Sequence, residues 1–262
     1  MISNYPLLLV AKKEYLESFQ QGKFFMKNCL YYQSLEDDDL QRSDKYDSAL
    51  KCGYDEFGIP KEVKEITRNP RLVLGDSYIK CFFAYSKENI IDISPNRIAY
   101  FIPSKSQEAL IGFSEEYALI IDKYELINRF SKSCEDHNYK YYFDDVEYLT
   151  HEALETKKKQ IIESVINRSA INLKHLTFYK QLKFSAQQEF RFCVKRDFDF
   201  KSTKTYNNNI LTGTINYNDS ITLDLGKLDD ISTLVKLKDL IDYPVIYDKK
   251  KNEHFIYCSD LK

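Results

Sequence analysis

Phe184-Ser185-Ala186-Gln187-Gln188-Glu189-Phe190-Arg191-Phe192-Cys193-Val194 reads as a β-strand whose two faces differ in kind. Side chains alternate across a strand, so Gln187, Glu189 and Arg191 fall in a row on one face while Phe190, Phe192 and Val194 fall on the other. The apolar row asks for a core, which places a polar row on a strand that is otherwise buried. A carboxylate on a rigid strand, with a guanidinium two residues on in the same cleft, is suited to anchoring a sugar hydroxyl or to stabilising developing positive charge. The same pattern also describes a solvent-facing strand edge carrying an ion pair worth about 0–1 kcal/mol.

Working outward, Pro6 to Val10 is a short apolar run of strand character, followed by Lys12 to Gln21, in which Tyr15, Leu16 and Phe19 recur at helical spacing and Gly22 supplies the stop. Lys23 to Met26 reads as a second strand. Tyr78 to Ser86 is almost wholly apolar over a strand's length and predicts a central strand buried on both faces, as does Tyr117 to Asp122, with a helix from Lys123 to Ser131. Asp145 to Leu149 predicts a short strand. Thr150 is placed to cap a helix over His151 to Asn167, with Leu154, Ile161, Ile162, Val165 and Ile166 on roughly one face. Strands are expected again at Ile221 to Leu225 and in a terminal hairpin, Pro244 to Tyr247 with His254 to Cys258, around Lys249 to Asn252. Glu36 to Pro70, rich in charge and turn residues, is expected to be irregular. These elements predict one α/β (α+β) domain over residues 1–262, of mixed content and with strands dominating the second half.

The composition narrows the function. The 262 residues are 43 % hydrophobic and 30 % charged, which is enough apolar material for a real core. A net charge of −2 creates no global field for nucleic acid or anionic lipid, so any such contact has to be local. Six cysteines, widely spaced and without a C-x-x-C pair or a Cys/His cluster, read as reduced thiols of a cytoplasmic protein. Residues 1–5 lack the positive region of a secretory leader, and no apolar run approaches the ~18 residues that span a bilayer, so a soluble protein that is not exported and has no membrane partner is expected. With 7 glycines there is no G-x-G-x-x-G and no P-loop, which excludes the common nucleotide folds.

Other chemistry is thinner. In Arg42-Ser43-Asp44, with Asp47 nearby, an arginine in a loop can take a phosphate bidentately while Asp44 orients it, although a solvated turn has the same residues. Ser86, where an apolar strand emerges, is placed for a ligand or for a turn. The histidines at 137, 151, 175 and 254 form no triad and no zinc pattern. Glu62-Val63-Lys64 and Glu155-Thr156-Lys157 have the E-x-K form of metal-dependent nucleases, but the first lies in a charged stretch and the second in the helix after Thr150, whereas that chemistry uses a strand. Lys157 to Lys159 and Lys249 to Lys251 read as solvated faces.

The order of elements resembles the ADP-ribosyltransferase superfamily: an opening strand, a helix ending at Gly22, the strand from Lys23, and a late Gln187-Gln188-Glu189 of [QE]-x-E form. The chain is also similar to little-described bacterial and phage proteins with an R-x-D-x-[YF]-[DE] segment, here Arg42 to Asp47, a C-F-x-x-[SY] strand, here Cys81 to Tyr85, and a final [QE]-x-E-[YF]-R-[FIV] strand. Some ADP-ribosylating toxins of phage-defence and toxin–antitoxin operons look similar. The resemblance implies a split, mixed or antiparallel sheet of ADP-ribosyltransferase type with flanking helices, and NAD as donor, with Glu189 bonding the ribose 2′-hydroxyl and stabilising an oxocarbenium-like transition state, Arg191 beside it and Gln187 helping to place the acceptor. A Gln at that position goes with targets other than arginine, including asparagine and nucleobases, so RNA, DNA or protein is the implied acceptor, and an antitoxin protein a possible partner. Ser86 would match the serine of the family's middle strand, though the usual S-T-S is absent. The first strand lacks the family's Arg or His, a role that falls to Tyr31, Tyr32 or Arg42. Two other classes stay open: a non-enzymatic phage or defence module that binds protein through its many Tyr and Phe side chains, and a metal-dependent nuclease. On this reading Glu189→Gln abolishes activity and leaves the fold intact.

Overall fold

The structure, a computed structural model, describes residues 5–28, 76–85, 87–113, 115–154, 156–157, 160, 177–196, 206–207, 210–211, 220–251 and 253–256. It opens with β1 (Leu7–Ala11), α1 (Lys13–Gln20) and β2 (Lys23–Asn28), the order the periodicity predicts. There follow β3 (Asp76–Ala84), the hairpin β4 (Ile90–Ser94) and β5 (Arg97–Tyr100), α2 (Ser104–Ile111), β6 (Tyr117–Ile121) and α3 (Lys123–Asp136). Next come β7 (Lys140–Asp145), β8 (Glu147–Leu149), β9 (Tyr179–Gln181), β10 (Glu189–Arg196), and the short pair β11 (Tyr206–Asn207) and β12 (Ile210–Leu211). β13 (Ser220–Asp224), β14 (Ser232–Lys236), α4 (Leu237–Asp242), β15 (Val245–Asp248) and β16 (Glu253–Ile256) complete the described order.

β3 is the trunk of an eight-stranded sheet. β10 pairs one of its edges from Glu189 opposite Phe83 to Arg196 opposite Asp76, and β7 continues the sheet beyond β10. Two strands share the other edge, β1 at Phe83 and Ala84, β2 at Tyr78 and Ile79, so the sheet forks there, through β1 to β6 and β14 and through β2 to β13. Every pairing in this sheet is antiparallel, and among the described residues parallel pairing is confined to β8 with β9. The class is therefore α+β and mostly antiparallel, where a mixed sheet was one of the expectations.

Alternation along the strands gives the sheet two cores. On one face Phe82, Phe190, Phe192 and Val194 meet Leu16 and Phe19 of α1 and Leu126, Ile127, Phe130 and Cys134 of α3. Phe24, Phe82, Phe130 and Phe192 stack edge to face or tilted, Phe130 and Phe192 with ring centroids 4.7 Å apart, which adds roughly 0.5–1.5 kcal/mol per pair to their burial. Asp122 caps α3 by accepting from the Glu125 N–H at 2.9 Å. On the other face Leu8, Phe83, Ala118 and Ile120 pack against Tyr100 and Val245 of a second sheet, ordered β16-β15-β5-β4, and against Leu110 of α2 and Leu237 and Leu240 of α4. The sequence reading missed α2, β4, β5, β7, β9, β11, β12, β14 and α4.

The helix after Thr150 begins as expected, with the Thr150 hydroxyl accepting from Ala153 N–H at 3.3 Å and Leu154 fully buried, and residues 156–157 and 160 are helical too, while residues 161–167 and the segment Glu36 to Pro70 lie outside the described residues. The strand expected from Phe184 needs correction. Leu182–Gln187 is a 3-10 turn, Gln188 is left-handed at φ 41°, and the strand starts only at Glu189. Ser185 and Ala186 bring little β-propensity, and the chain has to reverse between β9 and β10.

Gly22 and Gly226 meet where the turn after α1 crosses the turn after β13, and both have positive φ, +93° and +68°. A Cβ on Gly22 would stand 2.4 Å from the Gly226 carbonyl oxygen, whereas one on Gly226 meets nothing within 4 Å. Gly22→Ala is therefore expected to cost about 2–4 kcal/mol by adding a backbone clash to the left-handed strain, and Gly226→Ala about 1–2 kcal/mol from strain alone. Urea denaturation of both variants checks the difference, and equal losses would reject the close approach as what requires glycine at residue 22.

Candidate functional site

The head of β10 carries Glu189 on the face of the sheet opposite the phenylalanine core. Arg191, on the same face by the pleat, has no exposure to water, and its charge must be met inside the protein. Its Nε donates to Glu189 Oε2 at 2.8 Å, its second terminal nitrogen stands 2.7 Å from the same oxygen, and Nη1 donates to the Thr177 carbonyl at 2.8 Å. The other carboxylate oxygen, Oε1, accepts from Lys180 Nζ at 2.8 Å, and Lys180 also donates to Gln187 Oε1 at 2.7 Å and lies 4.9 Å from the Phe184 ring centre. Burial alone would raise the Glu189 carboxyl, but the Arg191 and Lys180 charges outweigh it and hold it down at about 2. The Glu189 side chain keeps 11 % of its surface open.

The backbone frames this triad. β8 and β9 lie side by side in register, Tyr148 opposite Lys180, and Phe178 packs with Ile79 and Cys193 on the Glu189 face. Tyr148 OH accepts the Glu189 N–H at 2.8 Å, and Val146 N–H donates to the Glu189 carbonyl at 2.8 Å. Gln188, in a left-handed conformation that non-glycine residues avoid, gives its carbonyl to Ala84 N–H at 2.7 Å, and its buried side-chain oxygen has no partner among the described residues. Across the sheet Lys123, nearly buried, sits 3.9 Å above the Phe190 ring and 3.6 Å from Asp145; burial lowers its pKa and Asp145 opposes the shift.

The structure thus brings together Glu189, Arg191 and Gln187, but not by the expected geometry. Gln187 belongs to the 3-10 turn and reaches the carboxylate through Lys180 rather than by strand alternation. Arg42, Asp44, Tyr31, Tyr32 and Ser86 lie outside the described residues. Lys180 and Tyr148 were missed, and their only signal is the aromatic and basic content of two short strands. A groove of about 360 Å³, lined by Arg129, Lys132, Asp224 and Lys227 among others, lies beside α3 on the helical side of the sheet and includes none of the expected residues. Among the described residues no group of three or more His, Cys, Asp and Glu side chains is placed to hold a metal.

Chemically, the triad is one anion between two cations. The carboxylate offers about four acceptor positions, and Oε1 meets a single donor, so it can still take one hydrogen bond. The two cations hold the carboxylate ionised and in place, so that open position accepts a hydrogen bond from a ligand. No family model, no curated protein and no solved structure matches the chain.

Glu189→Gln is not structurally silent, contrary to the expectation from sequence. It strips the counter-charge from buried Arg191 and Lys180 and is expected to cost about 3–5 kcal/mol in chemical denaturation. The pH dependence has a definite sign. The folded Glu189 pKa lies below the ordinary 4.5, so its stabilisation is complete above that pH and is lost as pH falls from 4.5 through about 2. Burial likewise pushes His254, stacked 4.7 Å from Tyr247, from 6.5 down to about 4, so stability also declines over that higher window. In stability–pH curves His254→Phe should flatten the limb between 6.5 and 4 and spare the lower one; an unchanged upper limb would reject the assignment.

Proposed function

We propose that the chain is a mono-ADP-ribosyltransferase that transfers ADP-ribose from NAD to a macromolecular acceptor, nucleic acid or protein, as a cytoplasmic toxin of phage defence or of a toxin–antitoxin pair. The observation that carries this reading is the Glu189 carboxylate: fixed at the head of a central strand, held ionised by its two cations, and open at one oxygen position. The β1–α1–β2 opening and the forked sheet support an ADP-ribosyltransferase type of fold.

In the proposed reaction the bond between the ribose C1′ and the nicotinamide nitrogen breaks, its electron pair leaves with nicotinamide, and the acceptor's nucleophile bonds to C1′ and gives up its proton. Positive charge develops on the sugar. An ionised carboxylate that accepts the 2′-hydroxyl proton in a hydrogen bond favours that charge more than it favours the ground state. Gln187, fixed by Lys180, is placed to orient an acceptor. The roles of Arg42, Asp44, Tyr31, Tyr32 and Ser86 in holding NAD belong to the same proposal. A second reading, a protein-binding module without catalysis, draws on Ile91 and Ile93, more than half exposed on β4, which pairs only with β5 among the described residues.

Incubation of the protein with labelled NAD and total cell extract separates the two. Label should enter a macromolecular fraction as nicotinamide is released, at least ~100-fold more slowly in Glu189→Gln. Because that variant is destabilised, the rate is taken per folded molecule, with the folded fraction of the same preparation read from its urea denaturation curve. Transfer by folded Glu189→Gln at the parental rate would remove Glu189 from the chemistry. A parent that releases no nicotinamide and transfers no label would overturn the enzyme and leave the binding module.

A further inference from the structure

A phenol can accept one hydrogen bond or two and donate one. Tyr148 accepts from the Glu189 N–H at 2.8 Å, and among the described residues its own O–H has no acceptor. Tyr148 is half-buried on a strand held by the pairing of β8 with β9, and the Glu189 N–H fixes its hydroxyl. Burial, reinforced by the Glu189 charge, pushes its pKa well above the ordinary 10, so it keeps its proton throughout the range in which proteins work. Beside this unused donor stands an unfilled acceptor. Glu189 Oε2 takes both contacts from Arg191, whereas Oε1 takes only Lys180. The donor and the acceptor are attached to the same residue, one through its backbone N–H and the other at the end of its side chain.

We propose that Tyr148 and Glu189 act as a donor–acceptor pair that reads two neighbouring hydroxyls of one ligand, the cis-diol of a ribose. One hydroxyl donates to Glu189 Oε1 and its neighbour accepts from the Tyr148 O–H. The inference rests on the function proposed above, which puts a ribose at Glu189, and it adds a binding residue and the reason a diol is required. An anionic ligand group brings no proton for Oε1, and an ammonium brings no acceptor for Tyr148. A primary carboxamide, which has both, is the competing ligand.

The test measures binding of the full chain to NAD, to NAD lacking the 3′-hydroxyl of the nicotinamide-side ribose, and to nicotinamide alone, in the parent and in Tyr148→Phe. The parent should prefer NAD over the deoxy analogue by ~10-fold, a comparison that needs no variant. Tyr148→Phe should weaken NAD by a similar factor and leave the deoxy analogue unchanged. Equal weakening of both ligands would mean that Tyr148 only supports the backbone of Glu189, and a parent blind to the 3′-hydroxyl would overturn the diol. Nicotinamide binding that falls in Tyr148→Phe would assign the pair to a carboxamide instead. A parent that binds no NAD brings down the proposed function and this inference together, a result distinct from the others because it appears before any variant is made.

Discussion

A guanidinium sealed from water dictates the architecture around it. Arg191 sits inside this protein against a carboxylate two residues earlier on the same side of the pleat, while its Nη1 donates to a backbone carbonyl, that of Thr177. Those two contacts tie the start of β9 to the start of β10 and force the reversal between them into ten residues or fewer, the 3-10 turn and the left-handed Gln188. Lys180, on β9, then becomes the second neighbour of the same carboxylate. Separately, neither cation would be stable in that position; as a cluster each depends on Glu189, and pairing of this kind is what makes buried charge tolerable.

The sheet supplies the rigidity. β10 is held along its whole length by β3 and β7, and its reverse face is locked into an aromatic core by Phe190 and Phe192. Glu189 and Arg191 are consequently carried by a strand paired on both sides rather than by a loop, which is the condition for preorganised electrostatics. The fork at the far edge of β3 lets two helices cover one face while a second sheet covers the other, so neither face of the trunk strand is left to solvent.

Much of this was legible in the residues. Apolar runs bounded by turns located β1, β3 and β6, and the helical spacing of Leu16 and Phe19 located α1, because these elements are buried on both faces or along a clear stripe. β4 was not legible because Ile91, Asp92 and Ile93 are all exposed, so its apolar residues mark no buried face. β7 was missed because Tyr141, Tyr142 and Phe143 are only half-buried and end in two aspartates. For the site, the spacing of Glu189 and Arg191 carried the right geometry. The same rule misplaced Gln187, since alternation holds only inside a strand and the strand begins two residues later. Lys180 and Tyr148 join Glu189 through β8–β9 pairing, a contact between segments some thirty positions apart that no local pattern encodes.

The register of β10 on β3 has a kinetic side. Glu189 lies opposite Phe83, more than a hundred positions earlier, and the whole ladder from there to Asp76 closes across the same gap. Contacts so remote in the chain impose their loop-closure entropy before they return any stability, which slows folding. The carboxylate cluster therefore takes shape only once β10 has found β3, so assembly of the site waits on a pairing that no short segment of the chain can make by itself.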